Sequence, residues 1–295
     1  MRVRSALGTL AALTLVLTGC GQEGTPEADG PGSGEAPEYT VVDDFELSES
    51  DTWSGAKERG RLRIGVKFDQ PGLANVGPGE TRPEGFDVEI AKLAAAGLGF
   101  SDDKVEFVET VTPNREPFLQ QGTVDMVVAS YTINDERKKV IDFAGPYYTT
   151  GQDFLVLTDS DIESTDDLAD TVVCSVDAST SAMRIEEDFP DTELVTYDTY
   201  PKCLNDIRAG SADAMTTDDS ILRGYAATED GGFRVLGDQI SEEPYGIGLP
   251  KDEEALRNAI NDILEQANED GTWVDAFEYT LGDSSDVEQP EPERY

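Results

Sequence analysis

The chain has 295 residues, of which 62 are acidic and 22 basic, so its formal net charge is −40; it contains no histidine and three cysteines. The missing histidine excludes Ser-His-Asp and Cys-His catalysis and every His-ligated metal site, and three cysteines are too few for a Cys₄ zinc site. The negative charge makes nucleic acid a poor partner, because phosphate binding needs a basic patch, and at this length two lobes of roughly 100–150 residues are the natural expectation.

Residues 1–19 read as a lipoprotein signal peptide. Arg2 and Arg4 open it, and Ala6 to Leu17 is an apolar run of about a dozen residues, short of the roughly 20 a membrane-spanning helix needs. Leu17-Thr18-Gly19-Cys20 resembles a bacterial lipobox. That implies cleavage before Cys20, a lipid on its thiol, and a protein held on the outer face of the cytoplasmic membrane. From Gly21 to Thr52, glycines and prolines alternate with acids. With Cys20 this reads as a flexible tether, 20–52, that buries too little apolar surface to offset its ordering entropy. Residues 283–295 read in the same way, as a disordered acidic tail.

Leu62 to Val66 is a short apolar strand, and Glu84-Gly85-Phe86-Asp87 turns into a helix. On that helix Val88, Ile90, Ala91, Leu93 and Ala94 form a buried face near helical period. Val105 to Val108 is a second strand, Arg115 to Gln121 a short helix ending at Gly122, and Val124 to Val128 a buried strand. Farther on, Thr171 to Val176, Leu194 to Tyr197 and Ala212 to Thr216 read as strands. Cys203 to Ala209, Ser220 to Ala227 and Glu253 to Asn268 read as helices. This alternation predicts an α/β fold with largely parallel sheets. Cys174, in a strand, and Cys203, opening a helix, are the pair left once Cys20 is acylated. Outside the cell a disulfide is the default expectation, two separate buried thiols being the alternative.

Six motifs then follow in order: Gly85-Phe86-Asp87-Val88-Glu89-Ile90; Thr132-Ile133-Asn134-Asp135-Glu136-Arg137; Ile141-Asp142-Phe143 with Pro146-Tyr147-Tyr148; Asp213-Ala214 followed by Asp218; Tyr245 to Lys251; and Asp270-Gly271-Thr272-Trp273. In this order and spacing they resemble the extracellular solute-binding proteins of amino-acid ABC transporters, from about Leu62 to Leu281. Lys67-Phe68-Asp69-Gln70-Pro71-Gly72, Tyr197-Asp198-Thr199-Tyr200, Cys174-Ser175-Val176 with Cys203, and Thr216-Thr217-Asp218-Asp219 are most similar to the glutamate-binding lipoproteins of that family. The resemblance implies an α/β, periplasmic-binding-protein-like (type II) fold: two α/β lobes joined by two hinge strands, with the ligand in the cleft. Lobe 1 would comprise 53–147 and 246–282, and lobe 2 would comprise 148–245 with hinge segments at its ends.

A free amino acid carries a carboxylate and an ammonium on one carbon, and desolvating both requires a charged partner for each. By resemblance Arg137 clamps the carboxylate, which a guanidinium matches bidentately; on the residues alone it reads as a solvated helix charge among Asp135 to Lys139. Ser130 and Thr132 fall beside the ligand by the same comparison, and Ser179 and Thr180, followed by Ser181, add donors from a lobe 2 loop. Asp218 matches the acid that binds the α-ammonium, with Asp219 the competing assignment. Lys67, Thr112 and Arg115 match the side-chain pocket, where two cations favour an anionic side chain. Ala178 stands where relatives often have glycine. Gly72-Leu73 replaces the aromatic that covers the ligand in many relatives, leaving Phe68 or Tyr131 to do so.

The expected function is capture of an acidic amino acid, L-glutamate first, by cleft closure. Delivery would be to ABC permease transmembrane subunits served by a separate cytoplasmic ATPase. Glutamine, aspartate or another polar amino acid is the alternative ligand, and a carboxylate-using enzyme on the same fold is the alternative class. The chain has no Gly-rich phosphate loop ending in Gly-Lys-Ser/Thr, so no ATP hydrolysis is expected of it. A monomer is expected, with no catalytic residues, no cofactor, no metal, and membrane contact only through the lipid.

Overall fold

The computed structural model describes residues 36–229, 231–285 and 287–295. The lipobox, Cys20 and residues 20–35 of the tether lie outside the described residues.

The structure corrects the tether from residue 36 onward. Helix α1 (Asp51–Arg59) begins at Ser50, whose hydroxyl accepts the Trp53 N–H at 3.0 Å, and it ends at Gly60. Trp53 is buried and donates Nε1–H to the Leu98 carbonyl at 3.0 Å, while Phe45 packs edge-on against it. Upstream, the Tyr39 hydroxyl donates to Glu89 at 2.9 Å and the Val42 N–H to Ala96 O at 3.1 Å. Tyr39, Phe45 and Leu47, spaced among acids, pack on the hydrophobic core and dock this segment.

In lobe 1, β1 (Leu62–Val66) pairs in parallel with β4 (Val105–Glu109) and β5 (Met126–Val127). Between β1 and β4 lie a small hairpin, β2 (Asp69–Gln70) and β3 (Ala74–Asn75), and helix α2 (Phe86–Gly97). Gly85 precedes α2 with φ of +128°, and a Cβ there would collide with the Leu73 carbonyl, so the entry to this helix requires glycine. Helices α3 (Arg115–Gln120) and α4 (Asp135–Lys138) flank β5. The sheet order is β4-β1-β5-β12-β6, where β6 is Asp142–Thr150 and β12 is Glu243–Leu249. The outer part of that sheet is antiparallel, since β12 pairs antiparallel with both β5 and β6.

Through Gly151 the chain passes from β6 into β7 (Gln152–Leu157), a strand of the second sheet. That sheet adds β8 (Val172–Val176), β9 (Glu193–Tyr197), β10 (Ala214–Asp218) and β11 (Phe233–Val235) in the order β11-β7-β10-β8-β9. β8 is parallel to β9 and β10, whereas β7 is antiparallel to β10 and β11. Helices α5 (Thr180–Asp188), α6 (Tyr200–Ala209) and α7 (Asp219–Thr228) pack on it. Both sheets are therefore mixed rather than largely parallel, because β12 in the first and β7 in the second run against the parallel cores. α8 (Glu254–Asp270) and α9 (Thr272–Thr280) close lobe 1.

The C-terminal tail differs from the expected disorder. The Glu293 N–H donates to Gly145 O at 2.7 Å, the Phe143 N–H to the Tyr295 hydroxyl at 2.9 Å, and the Tyr295 ring lies 4.1 Å from the Arg257 guanidinium carbon. One terminal aromatic held by cations and backbone outweighs an otherwise polar tail.

Cys174 on β8 and Cys203 on α6 form a disulfide with Cα atoms 5.4 Å apart. It closes a 29-residue span, which chain entropy values at about 3–4 kcal/mol. Replacing both cysteines by serine should lower urea-unfolding stability by about that amount. An unchanged midpoint would show that the bond adds nothing.

Candidate functional site

Between the lobes lies a cavity lined from lobe 1 by Thr112, Arg115, Ser130, Thr132 and Arg137. From lobe 2 it is lined by Ser179, Thr180, Ser181, Tyr200, Thr217, Asp218 and Ile221. Eight of the nine ligand-binding residues expected from the sequence thus share one lining, while the ninth, Lys67, stands behind it and donates Nζ–H to Thr112 Oγ1 at 2.7 Å. The room inside is only about 10 Å³, close to what one water occupies, so an amino acid enters only if the lobes part. A larger groove of about 730 Å³ lies under residues 38–49, but it is mainly apolar and has no cationic lining residue.

Each side chain is positioned by the local fold. Asn134 caps α4 by accepting the Arg137 N–H at 2.8 Å, which turns Arg137 inward; it is 7 % exposed. Its guanidinium donates to Thr132 O at 2.7 Å and, across the cleft, to Ala178 O at 3.4 Å. Glu116 lies 3.4 Å from its Nε. Burial, with Arg115 nearby, pulls Arg137 down to about 10, so it stays charged at neutral pH. Arg115 opens α3, donates to the Ala129 and Ser130 carbonyls at 3.3 and 3.1 Å, and keeps a buried Nε without a partner. Lys67 follows β1 and is 3 % exposed; burial and the Arg115 charge lower it to about 7.

On the lobe 2 side, Ser179 caps α5 through the Ala182 N–H at 2.9 Å, so the helix N-terminus, with unpaired first-turn N–H groups, faces the cavity. This segment is thus a helix start, not the loop that the resemblance implies. Ala178 has φ of +58°, the left-handed conformation that favours glycine. Asp218, at the end of β10, lines the cavity and Asp219 does not. Asp219 pairs instead with Arg223 at 2.7 Å. Asp218 Oδ2 accepts the Tyr245 hydroxyl at 2.6 Å, and Oδ1 is buried without a partner. Burial, reinforced by Glu243, raises the carboxyl to about 7. A cation placed against that oxygen would satisfy it and favour the ionised carboxylate.

Several contributors went unread in the sequence. Tyr200 is the aromatic of the lining, its hydroxyl sharing a 2.6 Å hydrogen bond with Thr217 Oγ1. Neither Phe68 nor Tyr131 lines the cavity. Phe68 packs half-buried on the main hydrophobic core, and the Tyr131 ring lies against Phe143 with Arg115 and Arg137 at 4.2 and 5.0 Å over its face. Asp87 accepts the Ser130 N–H and the Tyr147 hydroxyl, each at 2.7 Å, and holds Ser130 at φ +42°. Tyr147 and Tyr245 sit on the two strands that cross between lobes, so one crossing is tied to Asp87 behind Ser130 and the other to Asp218 in the cavity. Helical position in the Gly85-Phe86-Asp87 motif was the available signal for Asp87.

Among the described residues no helix is long and apolar enough to cross a membrane, and no cluster of acids and cysteines is arranged to hold a metal. The sequence model of the bacterial extracellular solute-binding proteins, family 3, matches residues 62–282. A glutamate-binding protein, GluB, of Corynebacterium efficiens is 39 % identical over 79 % of this chain and 83 % of its own. The ABC transporter glutamine-binding protein GlnH of Bacillus subtilis is 34 % identical over 92 % of this chain and 94 % of its own. The solved structure of an ancestral arginine-binding protein bound to glutamine superposes with a TM-score of 0.71 at 32 % identity, covering 76 % of this chain and 99 % of that one. The chain belongs to the bacterial extracellular solute-binding proteins, family 3.

Proposed function

We propose that the chain captures L-glutamate by closing its lobes and hands it unchanged to an ABC permease driven by a separate ATPase. The observation that carries this reading is the charge of the cleft. Arg115, Arg137 and, behind Thr112, Lys67 are all buried there, while Asp218 is the acid that lines it. Three cations and one carboxylate complement two carboxylates and one ammonium, which is the charge set of an acidic amino acid. In this reading Arg137, with Ser130, Thr132, Ser179 and Thr180, takes the α-carboxylate. Asp218 takes the ammonium, and Lys67, Thr112 and Arg115 take the side chain. Glutamine is the second reading, favoured by Lys67 standing at about 7 and so readily neutral. A lipid on Cys20 would keep the protein at the membrane surface beside its permease.

Titration calorimetry with glutamate, aspartate, glutamine and arginine tests the assignment, with chromatography to verify that the ligand is recovered intact. Glutamate should bind at least about tenfold more tightly than glutamine. Tighter binding of glutamine or arginine would sink the assignment, and a chemical product would sink the binder class. Small-angle scattering should show a smaller radius of gyration with saturating glutamate. Identical curves would remove the closing cleft.

A further inference from the structure

Away from the cavity, the lobes touch at a second place. The loop of β2 in lobe 1 meets α6 and α7 of lobe 2 through three contacts, none made by a cavity-lining side chain. The Tyr225 hydroxyl donates to the Asp69 carbonyl. Burial raises the Asp69 carboxyl, and the backbone N–H of Tyr200, in the first turn of α6, lies near enough to offset part of that rise. Gly224 lies so close under Pro71 that a Cβ on it would overlap the Pro71 carbonyl oxygen.

We propose that Asp69 to Pro71 and the Gly224-Tyr225 pair form a latch that sets ligand affinity and residence time without touching the ligand. Gly224 and Tyr225 lie on the helix whose N-cap is Asp218, and Asp69 to Pro71 begin two residues after Lys67. Within the same loop Gln70 Oε1 accepts the Ser130 hydroxyl at 2.9 Å. Engaging the latch therefore holds the proposed side-chain pocket and the proposed ammonium seat at closing distance. Contacts that exist only between closed lobes favour the closed state by their own free energy, and that gain appears in the dissociation rate of the trapped ligand. Glycine at 224 is otherwise hard to account for, because an interior helical position favours alanine.

The inference rests on the cleft-closing function proposed above. Two variants test it against the parent, using whichever of L-glutamate and L-glutamine the parent binds more tightly. Gly224→Ala should weaken binding by about tenfold or more, since overlap at a packed contact must be relieved by separating the lobes. Dissociation should be faster by stopped flow, and the radius of gyration at saturating ligand should exceed that of the parent. The same change suits the helix, so the thermal midpoint of ligand-free Gly224→Ala should hold or rise, an opposite sign that a damaged fold would not give. Tyr225→Phe removes a single hydroxyl and should weaken binding about three- to tenfold. Parent-like affinity and dissociation in both variants would overturn the latch. A parent that binds neither amino acid would instead overturn the ligand assignment.

Discussion

Arg137→Ala should cost about 2–5 kcal/mol of amino-acid affinity, the range for removing one partner of a buried charge pair. The ligand carboxylate would lose its bidentate partner inside a cavity that admits almost no water, so solvent cannot substitute. Folding should suffer little. Arg137 is buried next to Arg115, its guanidinium donates to neutral carbonyls, and Glu116 is the carboxylate paired with it. Deleting the cation relieves repulsion as well as removing bonds. Arg137→Lys should fall between parent and alanine, because an ammonium keeps the charge but not the planar fork. Calorimetry and thermal unfolding on the three proteins check this. An affinity change below about threefold, roughly 0.7 kcal/mol, would reduce Arg137 to a bystander.

Periodicity and residue chemistry did not reach equally far along this chain. The α2 face and strands such as Leu62–Val66 were readable because each buries one apolar set against one sheet. Strand β6 was not, since Gly145 and Pro146 break its pattern and its long antiparallel partner, β12, lies about a hundred residues downstream. The α5 terminus reads as a loop because Ser179, Thr180 and Ser181 are poor interior formers; their value lies in capping and in facing the cleft. The N-terminal strap is masked by composition, glycine-rich and acidic upstream and docked by a few scattered aromatics downstream. Arg137 shows the limit most sharply. In the charge run Asp135 to Lys139 nothing in the local sequence separates it from Lys138 or Lys139, and only the Asn134 cap and Tyr131 beneath it turn it inward. The latch depends on glycine and backbone carbonyls from distant segments, which carry no side-chain signature at all.

Lys67→Met should lower glutamate affinity about tenfold to a hundredfold, the loss of one charge-assisted hydrogen bond, while changing glutamine affinity little. The proton balance separates this from a packing effect. In the ligand-free cleft, burial and Arg115 bring Lys67 down to about 7, and burial and Glu243 bring Asp218 up to about 7. An incoming ammonium ionises Asp218 and releases a proton, whereas an incoming side-chain carboxylate charges Lys67 and takes one up. For glutamate the two cancel near pH 7, so affinity should peak there and fall about threefold by pH 6 and again by pH 8. Glutamine engages only Asp218, so its binding should release about half a proton at pH 7 and tighten as pH rises through 7. The Lys67→Met protein should bind glutamate with that same release. Stability without ligand follows the same two groups. The folded Asp218 holds its proton above the unfolded range, so its contribution falls as pH climbs toward about 7. The folded Lys67 loses its proton early, so its contribution rises above about 7, and the two together put a dip near neutrality that the methionine variant should lose on its alkaline side. Calorimetry in buffers of different ionisation enthalpy reads the exchange directly. Equal proton release for glutamate in parent and variant would show that Lys67 does not meet the ligand's side chain.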